Sequence, residues 1–158
     1  MTVAARHSVQ HGTFTITRDL PHPPARVFAA WASPEAKALW FSGPPGKWKL
    51  LERRMDFRVG GQERARGEFT GRFVTDFQAT YHDIVPDQRI VYSYTMHLDD
   101  KKISVSLATI EFQASGKGTK LVLTEQGAFL DGYDDSGSRE QGTAGLMDAL
   151  EKSLGETR

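Results

Sequence analysis

The sequence predicts a single α+β domain, in which a curved antiparallel sheet of six to seven strands closes around a long C-terminal helix. Three observations carry this. Apolar residues recur with period two from Trp48 to about Gly127, two short helical segments precede that stretch, and one amphipathic segment follows it. The 158 residues are enough to bury one core without a metal or disulfide staple.

The first strand runs from about Gly12 to Leu20. Phe14 and Ile16 alternate there with Thr13, Thr15 and Thr17, and Pro21, Pro23 and Pro24 end the run. Pro24 fits the first turn of a helix, where its missing N–H costs nothing, and Val27, Phe28 and Trp31 then share one face. Ser33 ahead of Pro34 and Glu35 reads as an N-cap with proline at the first helical position. It opens a second short helix through Leu39, Trp40 and Phe41. The Gly43-Pro44-Pro45-Gly46 stretch is loop.

From Trp48 onward the chain reads as hairpins. Residues 49–59 and 62–67 pair around Gly60-Gly61. In the next hairpin Phe73, Phe77, Ala79, Tyr81 and Val85 share one face, as do Ile90, Tyr92, Tyr94, Met96 and Leu98 on its partner. A turn at Pro86-Asp87-Gln88-Arg89 closes Val85 onto Ile90 and sets Tyr81 opposite Tyr94, Ala79 opposite Met96 and Phe77 opposite Leu98. A third hairpin turns at Ser115-Gly116-Lys117-Gly118 and places Ala114 on Thr119, Phe112 on Leu121, Ile110 on Leu123 and Ala108 on Glu125.

Residues 103–113 carry a phase conflict. Ile103, Val105 and Leu107 lie on one parity and Ile110 and Phe112 on the other, so either a bulge switches the phase or both faces are partly covered. Leu146, Met147, Leu150 and Leu154 stand at helical spacing and form the closing helix, the one segment long enough to cover the sheet's apolar face. Residues 1–8 read as a mobile tail and 9–158 as one domain.

Composition removes several function classes. Twenty basic residues balance twenty acidic ones, which leaves no bulk affinity for nucleic acid. No cysteine is present, so disulfides, thiol catalysis, zinc fingers and iron–sulfur clusters are excluded. No window approaches eighteen consecutive apolar residues and the N-terminus lacks a signal-peptide core. No membrane span is expected, and a cytoplasmic location follows by elimination.

The five histidines lack the spacing of a metal site. His82 and His97 fall on the outer face, and His7, His11 and His22 in the tail and a loop. Residues 129–138 are acidic and glycine-rich without the spacing of a calcium loop, and read as a lid that brings Phe129, Leu130 and Tyr133 near the cavity mouth. Neither a metal nor a cofactor is expected.

The space between sheet and helix is where chemistry is expected. Tyr81, Tyr92 and Tyr94 point into it with hydroxyls that need partners when buried, either as core aromatics with their hydroxyls at the rim or as ligand contacts. Glu125 follows Leu121 and Leu123 on the inward face and is the one candidate catalytic group. It binds a polar ligand end, serves as a general acid or base with a raised pKa, or leaves the core to be solvated or bonded to Arg64, Arg66 or Arg139. Trp40, Phe41, Phe77, Met96, Ile110, Leu123, Phe129 and Leu146 complete the expected lining, while Trp31 reads as core. No nucleophile with an adjacent base and no phosphate-binding glycine loop is found.

Particular residues also carry a resemblance. They are Pro24, Ala25, Val27, Phe28, Trp31, Pro34, Glu35 and Trp40, then Asp56, Arg58, Val59, Gly60 and Gly61. Ile84, Pro86, Arg89, Ile90 and Tyr92 follow, and Thr119, Leu121, Thr124 and Glu125 close the set. In this order, over about residues 12–154, the sequence resembles the START-like superfamily, the helix-grip fold shared with the birch-pollen allergens and often labelled SRPBCC. Within it the chain is similar to bacterial proteins like the C-terminal domain of the activator of the heat-shock ATPase chaperone. Family members commonly carry Gly-Trp near the start of the last helix, whereas here Gly142 is followed by Thr143.

The resemblance implies a small-molecule binding protein that holds an apolar or amphipathic ligand between sheet and helix. Two other functions are also implied, a polyketide cyclase- or aromatase-like enzyme using cavity acid/base groups, and a stress-response module that contacts a chaperone partner. A homodimer is compatible with all three, since an open sheet has edges to protect.

Overall fold

The computed structural model describes residues 6–156. β1 (Val9–Leu20) leads into α1 (Pro24–Ala29) and α2 (Pro34–Ala38). Then come β2 (Trp48–Met55), β3 (Gln62–Phe69), β4 (Phe73–Val85), β5 (Arg89–Leu98), β6 (Lys101–Ser115) and β7 (Gly118–Leu130), and α3 (Ser136–Glu156) closes the fold. All seven strands form one antiparallel sheet in the order β1-β7-β6-β5-β4-β3-β2. Strands β2 to β7 pair with their sequence neighbours, and β1 alone crosses over, pairing with β7 from Val9 on Leu130 to Leu20 on Thr119. The class is the expected α+β arrangement, with two short helices after the first strand and a long helix in the grip of the sheet.

Local chemistry explains the helical entry. Ser33 accepts the Ala36 N–H at 3.2 Å, and Pro34 follows at N1. α2 ends at Ala38, short of the expected Phe41. Trp40 and Phe41 instead fold back in a turn in which both of their N–H groups bond to the Lys37 carbonyl. β1 begins at Val9 rather than Gly12, extended by pairing with the end of β7. Of the expected tail, residues 1–5 lie outside the described residues. Ser8 is tied to Asp131 by its N–H on Oδ1 and by its carbonyl on the Asp131 N–H, both at 2.8 Å.

The β6–β7 hairpin has the expected register, with Ala114 on Thr119 and Ala108 on Glu125. The β4–β5 hairpin differs by two residues, for two reasons. Its turn is tighter, with Val85 on Arg89, the Gln88 N–H on the Val85 carbonyl at 3.0 Å, and Asp87 in the left-handed region at φ 64°. A bulge at His82 then absorbs one more residue. Tyr81 consequently faces Tyr92, Ala79 faces Tyr94 and Phe77 faces Met96, and Ile84 rather than Val85 packs on the core.

The phase conflict in β6 is resolved by a bulge at Ile103. Beyond it Ser104, Ser106, Ala108, Ile110 and Phe112 face inward and are buried, while Val105 and Leu107 lie on the outer face, 42% and 37% exposed. α3 lays Met147, Leu150 and Leu154 on the concave side against Phe14, Ile16, Leu121 and Leu123 in one buried cluster. Each such side chain contributes about 1.5–3 kcal/mol by leaving water. Among the described residues no helix is long and apolar enough to cross a membrane.

Candidate functional site

Side chains do not fill the whole space between sheet and helix. A cavity of about 330 Å³ remains among the concave face, α3 and the segment after α2. Rings form most of its wall: Trp31, Trp40 and Phe41 from the helical entry, Trp48 and Phe69 from the first hairpin, and Phe77, Tyr92 and Tyr94 from β4 and β5. Met96, Leu123, Leu146 and Met147 add aliphatic surface, and Glu125 and Arg139 add charge.

Trp40, Phe41, Phe77, Tyr92, Tyr94, Met96, Leu123, Glu125 and Leu146 thus stand where the sequence reading put them, while Tyr81, Ile110 and Phe129 do not. The two-residue register difference sets Tyr81 opposite Tyr92 rather than Tyr94, and its ring packs on Phe57, with centroids 5.1 Å apart, outside the cavity lining. Ile110 is wholly enclosed in the core. Phe129 lies under the guanidinium of Arg139, 5.3 Å from its ring centroid, on the strip of β7 that Gly127 leaves bare. The expected lid is otherwise engaged. Tyr133 stacks on Lys101, and Asp135 caps α3 by accepting the Ser138 N–H at 2.8 Å. Thr143, where the family pattern has an indole, borders the cavity beside Gly142.

One wall depends on two glycines. A Cβ on Gly43 would stand 2.3 Å from Trp48 Cγ, and one on Gly67 2.1 Å from its Cζ2, so the indole occupies a slot that only glycine leaves open. Gly67→Ala is expected to push Trp48 out of the wall and to cost about 1–3 kcal/mol by overpacking, measured as a shift of the urea midpoint without a change in slope.

The polar end of the cavity is a connected cluster. The Tyr94 hydroxyl lies 2.9 Å from both oxygens of Glu125 and accepts a bond from Arg139 Nη1 at 2.8 Å. Arg139 Nη2 donates to Ser104 Oγ and Asp134 Oδ2, and Nη1 stands 3.8 Å from Glu125 Oε2. Tyr94 on β5 and Glu125 on β7 reach each other and the first turn of α3 across β6, whose residues between them, Ser106 opposite Tyr94 and Ala108 opposite Glu125, are small. Burial pushes the Glu125 carboxyl above its ordinary value, opposed by Arg139 and Tyr94. Burial and the nearby carboxylate also raise the Tyr94 phenol, so it remains a proton donor.

A second buried cluster was not singled out in the sequence. Lys37 Nζ donates to Glu63 Oε1 at 2.7 Å, the Tyr81 hydroxyl bonds to the same oxygen, and both charged side chains are 1% exposed. The ammonium stands 4.6 Å from the Phe41 ring centroid and within 5.8 Å of Trp31, Phe77 and Tyr92, all four of which line the cavity. Burial outweighs the attraction of Glu63 and lowers the Lys37 pKa. Spacing held the signal. Lys37, Trp40 and Phe41 fall at i, i+3 and i+4, and Glu63 shares the parity of Ala65 and Gly67.

A larger hollow of about 730 Å³ lies on the opposite face of the sheet, among Arg54, Arg64, Gln78, Thr80, Ser93 and Thr95. It is polar, and Arg54 and Arg64 are already paired with Glu52 and Asp76, so the mostly apolar inner cavity is the candidate site. Among the described residues no group of three or more acidic, histidine or cysteine side chains is placed to hold a metal.

A seven-stranded antiparallel sheet wrapped around one long helix, with a ring-lined space between them, defines a helix-grip protein of the START-like, birch-pollen-allergen-like class. The chain belongs to the family described as Activator of Hsp90 ATPase homolog 1-like protein, whose profile matches residues 21–155. Among solved structures, a protein from Rhizobium leguminosarum is 46% identical with a TM-score of 0.91, over 97% of this chain and 100% of that one. Mll3558 from Rhizobium loti is likewise 46% identical, with a TM-score of 0.85 over 92% of this chain and 99% of that one. Ara h 8.0201 shares the fold at 16% identity, with a TM-score of 0.67 over 94% of this chain and 100% of that one. No curated protein matches the chain.

Proposed function

We propose that the protein binds a small, mostly apolar aromatic molecule in the cavity between the sheet and α3. The observation that carries this is the unfilled space itself. A core built only for stability closes to crystal-like density, whereas here about 330 Å³ stays open beside eight rings and one buried carboxyl. Flat rings offer edge-to-face and stacked contacts to a planar ligand, and the Glu125 end offers a polar terminus. The START-like resemblance points the same way.

All three tryptophans of the chain line the cavity, so intrinsic fluorescence reports directly on its occupancy. Titration with 2-ethylnaphthalene is expected to give a saturable one-to-one change in tryptophan emission, with thermal stabilisation that grows as the logarithm of ligand concentration. Leu146→Phe, which narrows the cavity from α3, is expected to weaken both responses. An absence of saturable change and of thermal shift in the wild type overturns the proposal.

A further inference from the structure

Three tyrosines stand side by side on β4 and β5, and their hydroxyls have different fates. Tyr81 is bonded to Glu63, and Tyr94 is bonded to Glu125 and Arg139. Tyr92 lies between them, its ring 6.0 Å from each of the other two. It is 7% exposed and lines the cavity, and its hydroxyl makes no hydrogen bond among the described residues. Its oxygen is also absent from the sealed polar atoms that lack a partner, a set that includes the indole nitrogen of Trp31. A hydroxyl open on a cavity wall can be hydrated while the cavity is empty, so a ligand that covers it has to supply the hydrogen bond or bear the desolvation of that group.

Resting on the binding reading above, we propose that the Tyr92 hydroxyl is the anchoring donor of the cavity and selects a ligand whose buried polar atom is a neutral acceptor, the carbonyl of an aromatic ketone. The surroundings fix the choice among ligand classes. Burial and the nearby Tyr94, Glu125 and Glu63 hold the Tyr92 phenol protonated, so it donates. Glu125 and Glu63 lie on either side of it and disfavour a carboxylate ligand. Lys37 stands 5.6 Å from the Tyr92 ring centroid and Arg139 5.7 Å from that of Tyr94, and both disfavour an ammonium. A neutral carbonyl takes the bond and adds no uncompensated charge.

Four naphthalenes of similar size, differing only at position 2, test this by tryptophan fluorescence: acetyl, ethyl, carboxylate and aminomethyl. The ketone is expected to bind tightest to the wild type. Tyr92→Phe is expected to weaken the ketone about 3- to 10-fold relative to ethylnaphthalene, the range of a single neutral hydrogen bond. A downshifted carbonyl stretch of bound 2-acetylnaphthalene is expected in the wild type, and this measurement does not depend on the variant folding. Tighter binding of the carboxylate or the ammonium, equal ketone affinity in both proteins, or an unshifted stretch overturns the anchor while the binding reading stands. Failure of all four probes overturns both.

Discussion

Lys37→Met is expected to destabilise the protein by about 3–5 kcal/mol, because it leaves the Glu63 carboxylate buried without its cation. Methionine nearly matches the lysine stem in volume, so lost packing is a minor part of the effect. Glu63 keeps the Tyr81 hydroxyl as its hydrogen-bond donor and only the longer-range attraction of Arg53, and its second oxygen already lacks a hydrogen-bond partner. Replacing both charges removes the uncompensated ion, and Lys37→Met/Glu63→Gln is expected to recover most of the loss. Urea denaturation of the two single variants and the double variant closes the cycle. A Lys37→Met protein within about 1 kcal/mol of the wild type would show that water reaches this pair.

Arg139→Met is expected to cost a similar amount near pH 8 and distinctly less near pH 5. Arg139 is the cation that opposes the burial of Glu125, and removing it drives a carboxyl already above its ordinary value of 4.5 further up. The sign follows from proton binding. A folded-state value above the unfolded one means that the folded state holds its proton longer, so the associated stability is complete below about 4.5 and is lost as pH rises through the folded value. Protonated Glu125 still bonds to Tyr94 and needs no cation, which is why acid softens the variant's defect. Unfolding midpoints at the two pH values measure the slope, and an equal loss at both would mean that Glu125 does not change its protonation between them in the variant.

Patterns repeated along several residues were legible in the sequence. Alternation placed Phe14, Ile16, Leu121 and Leu123 on the inner face, Ser33-Pro34 marked the start of α2, and the short glycine turn at 115–118 set the β6–β7 register. Events confined to one residue were not. The bulges at His82 and Ile103 each insert a residue without disturbing the local composition, yet the first, together with the tighter turn, pairs Tyr81 with Tyr92 instead of Tyr94, and the second turns two serines inward. Lys37 and Glu63 were missed for another reason. Lysine and glutamate are read as surface by default, and only their shared faces with Trp40 and Ala65 argued otherwise. Glu125 was found because two leucines of the same parity precede it.

The crossover of β1 also affects how the molecule reaches this structure. Strands β2 to β7 form hairpin by hairpin from neighbouring residues, but Thr15 meets Thr124 from 109 positions away. Closing so long a loop gives no return until the whole strand is in register, so β1 is expected to dock late, after the meander and α3 have formed. Substitutions in β1 such as Ile16→Val would then leave the folding rate nearly unchanged and speed unfolding, making the first-synthesised strand the clasp that sets the native lifetime.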